Sequence, residues 1–128
     1  MAWQFSKHYT REEARALLPQ IRLWLDQLSA TRGQLQKTEE QMQELLAKGY
    51  DLGGPSVSRW LRMLVRVKDL IDEFQSREIE IKDIERGLVD FPAFVGGKEV
   101  FLCWEKDEDD IEFWHDLTSG YAGRERLD

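Results

Sequence analysis

From Arg11 to Lys48 the apolar residues keep a heptad rhythm, and only a long helix satisfies that spacing. Ala14, Ile21, Leu28, Leu35 and Met42 fall seven apart. Leu17, Trp24 and Leu45 lie three positions further on, and Leu18, Leu25 and Leu46 lie four further on. The stripe is broader than the two-position seam of a simple coiled coil. Thr31, Arg32, Thr38 and Glu39 interrupt it in the middle. Thr10-Arg11-Glu12-Glu13 is a capping box, in which a threonine hydroxyl meets a free N–H and a glutamate reaches back. Both glutamates also suit the positive end of the helix dipole. Lys48-Gly49 ends the pattern with a basic residue and a glycine that can adopt a left-handed conformation. Pro19 falls inside the helix, so a kink is expected there. At 1.5 Å per residue the helix would be roughly 55 Å long, more than the width of a compact globule of this size.

Tyr50-Asp-Leu-Gly-Gly-Pro-Ser56 is a connector rich in helix breakers. A second helix is expected from about Ser56, with an apolar stripe through Trp60/Leu61, Leu64, Val67, Ile71 and Phe74. Two long helices joined this closely form an antiparallel hairpin. Ile79 and Ile81 alternate with polar residues, which reads as a strand. Lys98–Glu105 is a β-type run that is apolar on both faces, and Lys106–Asp110 is an acidic turn. Ile111–His115 reads as another strand, with Ile111, Phe113 and His115 on one side. The expected fold class is α+β: a long antiparallel helical hairpin over about 10–78, then a small antiparallel β-meander over about 79–124. The whole chain, 1–128, is read as a single domain.

Charge narrows the partners. The chain carries a net charge of -7, which repels phosphate backbones and disfavours nucleic acid. Arg59, Arg62 and Arg66 share one helix face. That face reads as solvated, or else as a site for a small anion or an acidic partner. Cys103 is the single cysteine, so an intrachain disulfide is impossible. It lies in an apolar run and is expected to be a buried, unreactive thiol. Met1-Ala-Trp-Gln-Phe-Ser-Lys-His8 lacks the apolar segment of a secretory signal, and no stretch is apolar enough to span a bilayer. A cytoplasmic location away from membranes is expected.

No phosphate-binding glycine loop, paired-cysteine motif or nucleophile elbow is present. The chemistry-bearing residues crowd into the C-terminal third. Asp83, Glu85 and Asp90 surround Arg86-Gly87, His115 ends the last strand, and Gly120-Tyr-Ala-Gly-Arg124 follows. Carboxylates with a histidine suit acid–base work or a divalent ion. The same residues also suit plain ion pairs that fix turns. One histidine without a second soft ligand makes a poor zinc site, so no metal is expected. Trp104, Trp114, Phe101, Phe113, Phe91, Phe94 and Tyr121 are either a stacking wall for a ligand or ordinary core. The candidate ligand-binding set is therefore Asp83, Glu85, Arg86, Asp90, Trp104, His115 and Arg124, with the cofactor left open. Asp83, Asp90, His115 and Arg124 are expected to converge, and Arg124 to pair with a carboxylate.

Lys82-Asp-Ile-Glu-Arg-Gly-Leu-Val-Asp-Phe-Pro-Ala93, Val100-Phe-Leu-Cys-Trp104, Phe113-Trp-His115 and Gly120-Tyr-Ala-Gly-Arg124 resemble a bacterial family known as domain of unknown function 2203. Tyr9-Thr-Arg-Glu-Glu-Ala14 and Leu17-Leu-Pro19 resemble its opening. The resemblance spans essentially the whole chain. It implies an architecture and signature positions, not a reaction. Those positions are Asp83, Glu85, Arg86, Gly87, Asp90, Phe91, Pro92, Cys103, Trp104, Trp114, His115, Gly120, Gly123 and Arg124. Tyr121 stands where the family favours phenylalanine, and a proline expected soon after Arg124 is absent.

The helical stripes carry more apolar surface than one hairpin can cover. The expected function is therefore a non-enzymatic homo-oligomeric module, a dimer, with room for a protein partner at the sheet end. The alternative is a small-ligand- or metal-binding protein, or an enzyme, built on the carboxylate, histidine and arginine cluster.

Overall fold

The computed structural model describes residues 2–128. Helix α1 spans Arg11–Ala47 and is capped as its sequence dictates. The Thr10 hydroxyl accepts from the Glu13 N–H at 3.1 Å, and the Glu13 carboxylate accepts from the Thr10 N–H at 2.9 Å. Gly49, with φ 84°, turns the chain out of the helix. Helix α2 spans Gly54–Gln75, two residues earlier than its apolar pattern suggests. Gly53 is its N-cap, and Pro55 sits in the first turn, where a missing N–H leaves nothing unsatisfied. The helices are antiparallel. The Trp60 indole donates to Glu39 near one end, while Trp24 packs edge-on against Phe74 near the other.

Five antiparallel strands follow in the order β1-β2-β3-β4-β5. They are β1 (Glu80–Asp83), β2 (Leu88–Val95), β3 (Lys98–Glu105), β4 (Phe113–Asp116) and β5 (Glu125–Arg126). The sheet has two more strands than the alternation alone suggested. β2 is masked in the sequence by Asp90 and Pro92, and β5 is only two residues long. Pro92 fits because β1 stops short of it. Its carbonyl, and hence its N–H-less side, faces the segment before α1, where Tyr9 N–H donates to Pro92 O at 2.7 Å. The last main strand is also shorter than read. β4 begins at Phe113, and Ile111 is buried in the helix-side core instead of sharing a strand face with His115.

One sheet face packs on the hairpin. Val89, Phe91, Val100, Leu102 and Trp104 meet Ala14, Leu18, Ile21, Leu25 and Phe74. The α1 stripe is thus covered largely within the protomer. Leu28 is fully buried as well, whereas Leu35 and Met42 are half-buried and Leu45 and Leu46 are exposed. The far sheet face is covered by the segments flanking the folded elements. Phe5 packs edge-on against Phe101, and His8 stacks on Phe94. A short 3-10 turn, Tyr121–Gly123, and Arg124 lie over Phe113.

Two carboxylates strap the segment before α1 in place. Glu99 accepts from the N–H groups of Gln4 (2.9 Å) and Phe5 (3.0 Å) and pairs with His8 Nε2 (2.7 Å). Glu78 accepts from the N–H groups of Ser6 and Lys7, each at 3.1 Å. Burial alone would push the Glu99 carboxyl up, but the His8 hydrogen bond and the two N–H groups outweigh it and hold it below the usual glutamate range. A carboxyl depressed in the fold stabilises it fully above its unfolded value of about 4.3 and loses that contribution as pH falls through the lower folded value. Protection of the Gln4 and Phe5 amides against hydrogen exchange should therefore hold down to about pH 4 and fall below it. In Glu99→Gln it should be weak throughout. Equal protection in the two proteins across this range would refute the strap.

Candidate functional site

Three far-face side chains from adjacent strands meet in the middle of the sheet. Asp90 on β2 is registered opposite Cys103 on β3, and His115 on β4 is opposite Phe101, two residues along β3. Alternation sends Asp90, Phe101, Cys103 and His115 to the same side. Asp90, Cys103 and His115 are 1%, 0% and 2% exposed. His115 Nε2 lies 3.0 Å from Asp90 Oδ2, and its Nδ1 lies 2.7 Å from the Asp116 carbonyl oxygen. A carbonyl only accepts, so Nδ1 carries hydrogen and donates to it. A single proton then serves the Nε2–Oδ2 link. Ligand-capable atoms of Asp90, Cys103 and His115 all lie within 4.8 Å of one another.

The wall around them is aromatic and cationic. The Phe101 ring is 5.5 Å from the imidazole. Arg124 lies beside the Cys103 thiol. It pairs with Glu108 Oε2 at 2.8 Å, donates to the Tyr121 hydroxyl at 3.1 Å, and stacks 3.9 Å from the centre of the Phe113 ring. Arg86, held by Glu105 at 2.8 Å, covers the Tyr121 ring at 4.4 Å. Two side-chain atoms of this group are buried without a partner: Asp90 Oδ1 and Arg124 Nη1. Burial raises the Asp90 carboxyl above the usual range, and His115 pulls it back only in part. Burial, with the Asp90 charge beside it, pushes the Cys103 thiol up to about 12. At neutral pH the free thiol keeps its proton and is no nucleophile.

Of the sequence candidates, Asp90, His115 and Arg124 are brought together around Cys103. Asp83 is not with them. Its carboxylate accepts from the Arg86 N–H at 3.0 Å and closes the β1–β2 turn. Gly87 completes that turn at φ 66°, and a Cβ there would meet the Lys106 side chain at 2.7 Å. Glu85 is exposed and faces Arg32 at 3.7 Å. Asp83 and Glu85 instead line a separate cleft of about 830 Å³ between the end of α2 and β1. Trp104 points to the opposite, helix-facing side, where its indole donates to the Glu108 carbonyl at 2.9 Å beneath the Arg22 guanidinium. It is core, not a wall of the cluster. Cys103, read as an inert core thiol, is the central member of the group. The signal for it is its parity with Phe101 along β3, which becomes useful only once β2 is recognised as a strand.

The model of a family described as an uncharacterized conserved protein (DUF2203) matches residues 7–127. No curated protein and no solved structure matches the chain.

Proposed function

Because the chain belongs to the DUF2203 family of uncharacterized conserved proteins, we propose its function from its own surface: it is a non-enzymatic homodimeric interaction module that pairs through α2. One observation carries this reading. Arg62, Val65, Arg66, Asp69 and Glu73 lie along one side of α2 and line a shallow groove with Gln20, Trp24 and Leu61. Leu61 and Val65 are large apolar residues 49% and 56% exposed there.

The charges on this side are arranged for a second copy. Arg62 and Arg66 repel each other at i,i+4 spacing, and so do Asp69 and Glu73. Among the described residues, Arg62, Arg66 and Asp69 have no ion-pair partner, and Glu73 has only its neighbour Arg77. Arg62 and Glu73 are symmetric about the midpoint between Val67 and Lys68, and so are Arg66 and Asp69. Two α2 helices crossing antiparallel about that point bring each arginine against a carboxylate of the other copy. Both repulsions are offset, and Leu61 and Val65 are covered in coiled-coil fashion. This is the self-complementarity that a two-fold interface requires.

The reading keeps the protein in the cytoplasm, with neither nucleic acid nor membrane as partner. It leaves the sheet end, where Trp3 and Phe94 are exposed, to a protein partner. No helix among the described residues is long and apolar enough to cross a membrane. A second reading, a small-ligand- or metal-binding protein or enzyme, draws on the buried Asp90–Cys103–His115 group.

Sedimentation at micromolar concentration should give dimer mass for the native chain. Arg66→Asp should give monomer, because like charges then face each other. The double variant Arg66→Asp/Asp69→Arg should return to dimer. Monomer mass for the native chain, or dimerisation untouched by Arg66→Asp, would reject pairing through α2.

A further inference from the structure

We propose that Asp90, Cys103 and His115 form a binding site for a divalent transition-metal ion of the zinc class. Three donor types converge: a carboxylate oxygen, a sulfur and an imidazole nitrogen, each from a different strand. Imidazole and thiolate select zinc, cobalt or iron over magnesium and calcium. The Asp116 carbonyl fixes Nδ1 as the donor, so Nε2 is the nitrogen turned toward the other two ligands. That is the orienting hydrogen bond expected behind a metal-bound histidine.

The spacing suits an ion. Tetrahedral zinc, with bonds of about 2.0–2.3 Å, sets its ligand atoms roughly 3.3–3.6 Å apart. The Nε2–Oδ2 distance is 3.0 Å, and the full set lies within 4.8 Å. Shifts of about an ångström or less would complete the coordination. Three protein ligands leave the fourth position to a water.

The polar accounting favours the same reading. Asp90 Oδ1 and Arg124 Nη1 are buried with only the weakly hydrogen-bonding Cys103 sulfur to satisfy them. An ion would occupy the carboxylate, and a thiolate would offer the guanidinium an acceptor. Charge also closes. The free site holds one proton on the Nε2–Oδ2 link and one on sulfur. A divalent ion displaces both, leaving two anionic ligands, one neutral imidazole and no net charge. Two protons are released per ion. Arg124 is already neutralised by Glu108 at 2.8 Å, so it adds no uncompensated repulsion. Because the cluster is sealed, the ion enters while the chain folds.

The test is refolding of the full chain from denaturant with cobalt(II), then dialysis. The expected result is about one cobalt retained per chain, with a thiolate-to-cobalt charge-transfer band. Zinc added at refolding should raise the melting temperature. Calorimetric refolding with and without zinc, in buffers of different ionisation heats, should differ by about two protons per chain. Cys103→Ala should keep the native far-UV spectrum and lose the band, and His115→Asn should lose retention of the ion. No retained cobalt in the native chain, or retained cobalt without a thiolate band, overturns the assignment. Neither result depends on the oligomeric state, so failure here and failure of the dimer are separable.

Discussion

Leu28→Asp is expected to abolish the fold, not to release a folded monomer. Leu28 sits in the α1 stripe that reads from sequence as an oligomer seam, but it is fully buried within the protomer. Loss of a buried leucine side chain costs about 2–5 kcal/mol. A carboxyl without a partner in the same place adds at least about 2 kcal/mol more. The sum is comparable with the entire stability of a domain of this size, about 5–15 kcal/mol. Far-UV circular dichroism and gel filtration distinguish the outcomes. A folded, cooperatively melting monomer would show that Leu28 faces a partner. The dimer test therefore belongs on the exposed side of α2 and not on this stripe.

Trp104→Ala should lower stability by about 3–5 kcal/mol, the usual cost of truncating a buried tryptophan. The ring is fully buried, and α1 is clamped to the β3–β4 connection around it. The Arg22 guanidinium lies 4.8 Å from the ring centre and donates to the carbonyls of Lys106 and Glu108. The indole N–H donates to the same Glu108 carbonyl. Removing the ring deletes its packing and frees Arg22 from its stacking surface. Urea denaturation with an unchanged slope is the measurement. A loss below about 1 kcal/mol would return Trp104 to the role of a ligand-stacking residue.

What was legible in the sequence follows the range of the forces involved. The start and end of α1 are set by side chains within a few residues of each other, Thr10 with Glu13 and Lys48 with Gly49, so their signals are local. The hairpin follows from its short connector. β2 was hidden because Asp90 and Pro92 break the apolar alternation. Each is tolerated for a non-local reason: Asp90 by His115, 25 residues away, and Pro92 by Tyr9. The candidate site had the same limit. Asp90, His115 and Arg124 stood out by residue type. Their convergence on Cys103 depends on strand register, which no short window of sequence reports. Asp83 and Glu85 looked equivalent to Asp90, yet they sit at and beyond the end of β1 and turn toward a different surface.

The carboxylate straps on the segment before α1 also bear on the order of events at the ribosome. The Gln4 N–H and its acceptor on Glu99 are separated by 95 residues, and the Lys7 N–H and Glu78 by 71. At elongation rates of roughly 5–20 residues per second, the interval between the synthesis of Gln4 and that of Glu99 is on the order of 5–20 s. The helical hairpin is made within that interval, while the opening segment waits unpaired. Arg124, which covers the far face beside Cys103, is translated later still. The two segments that seal the sheet thus lie on opposite sides, in time, of the strands they cover. A nascent chain stalled after β3 would leave the Cys103 side of that face uncovered until translation resumed.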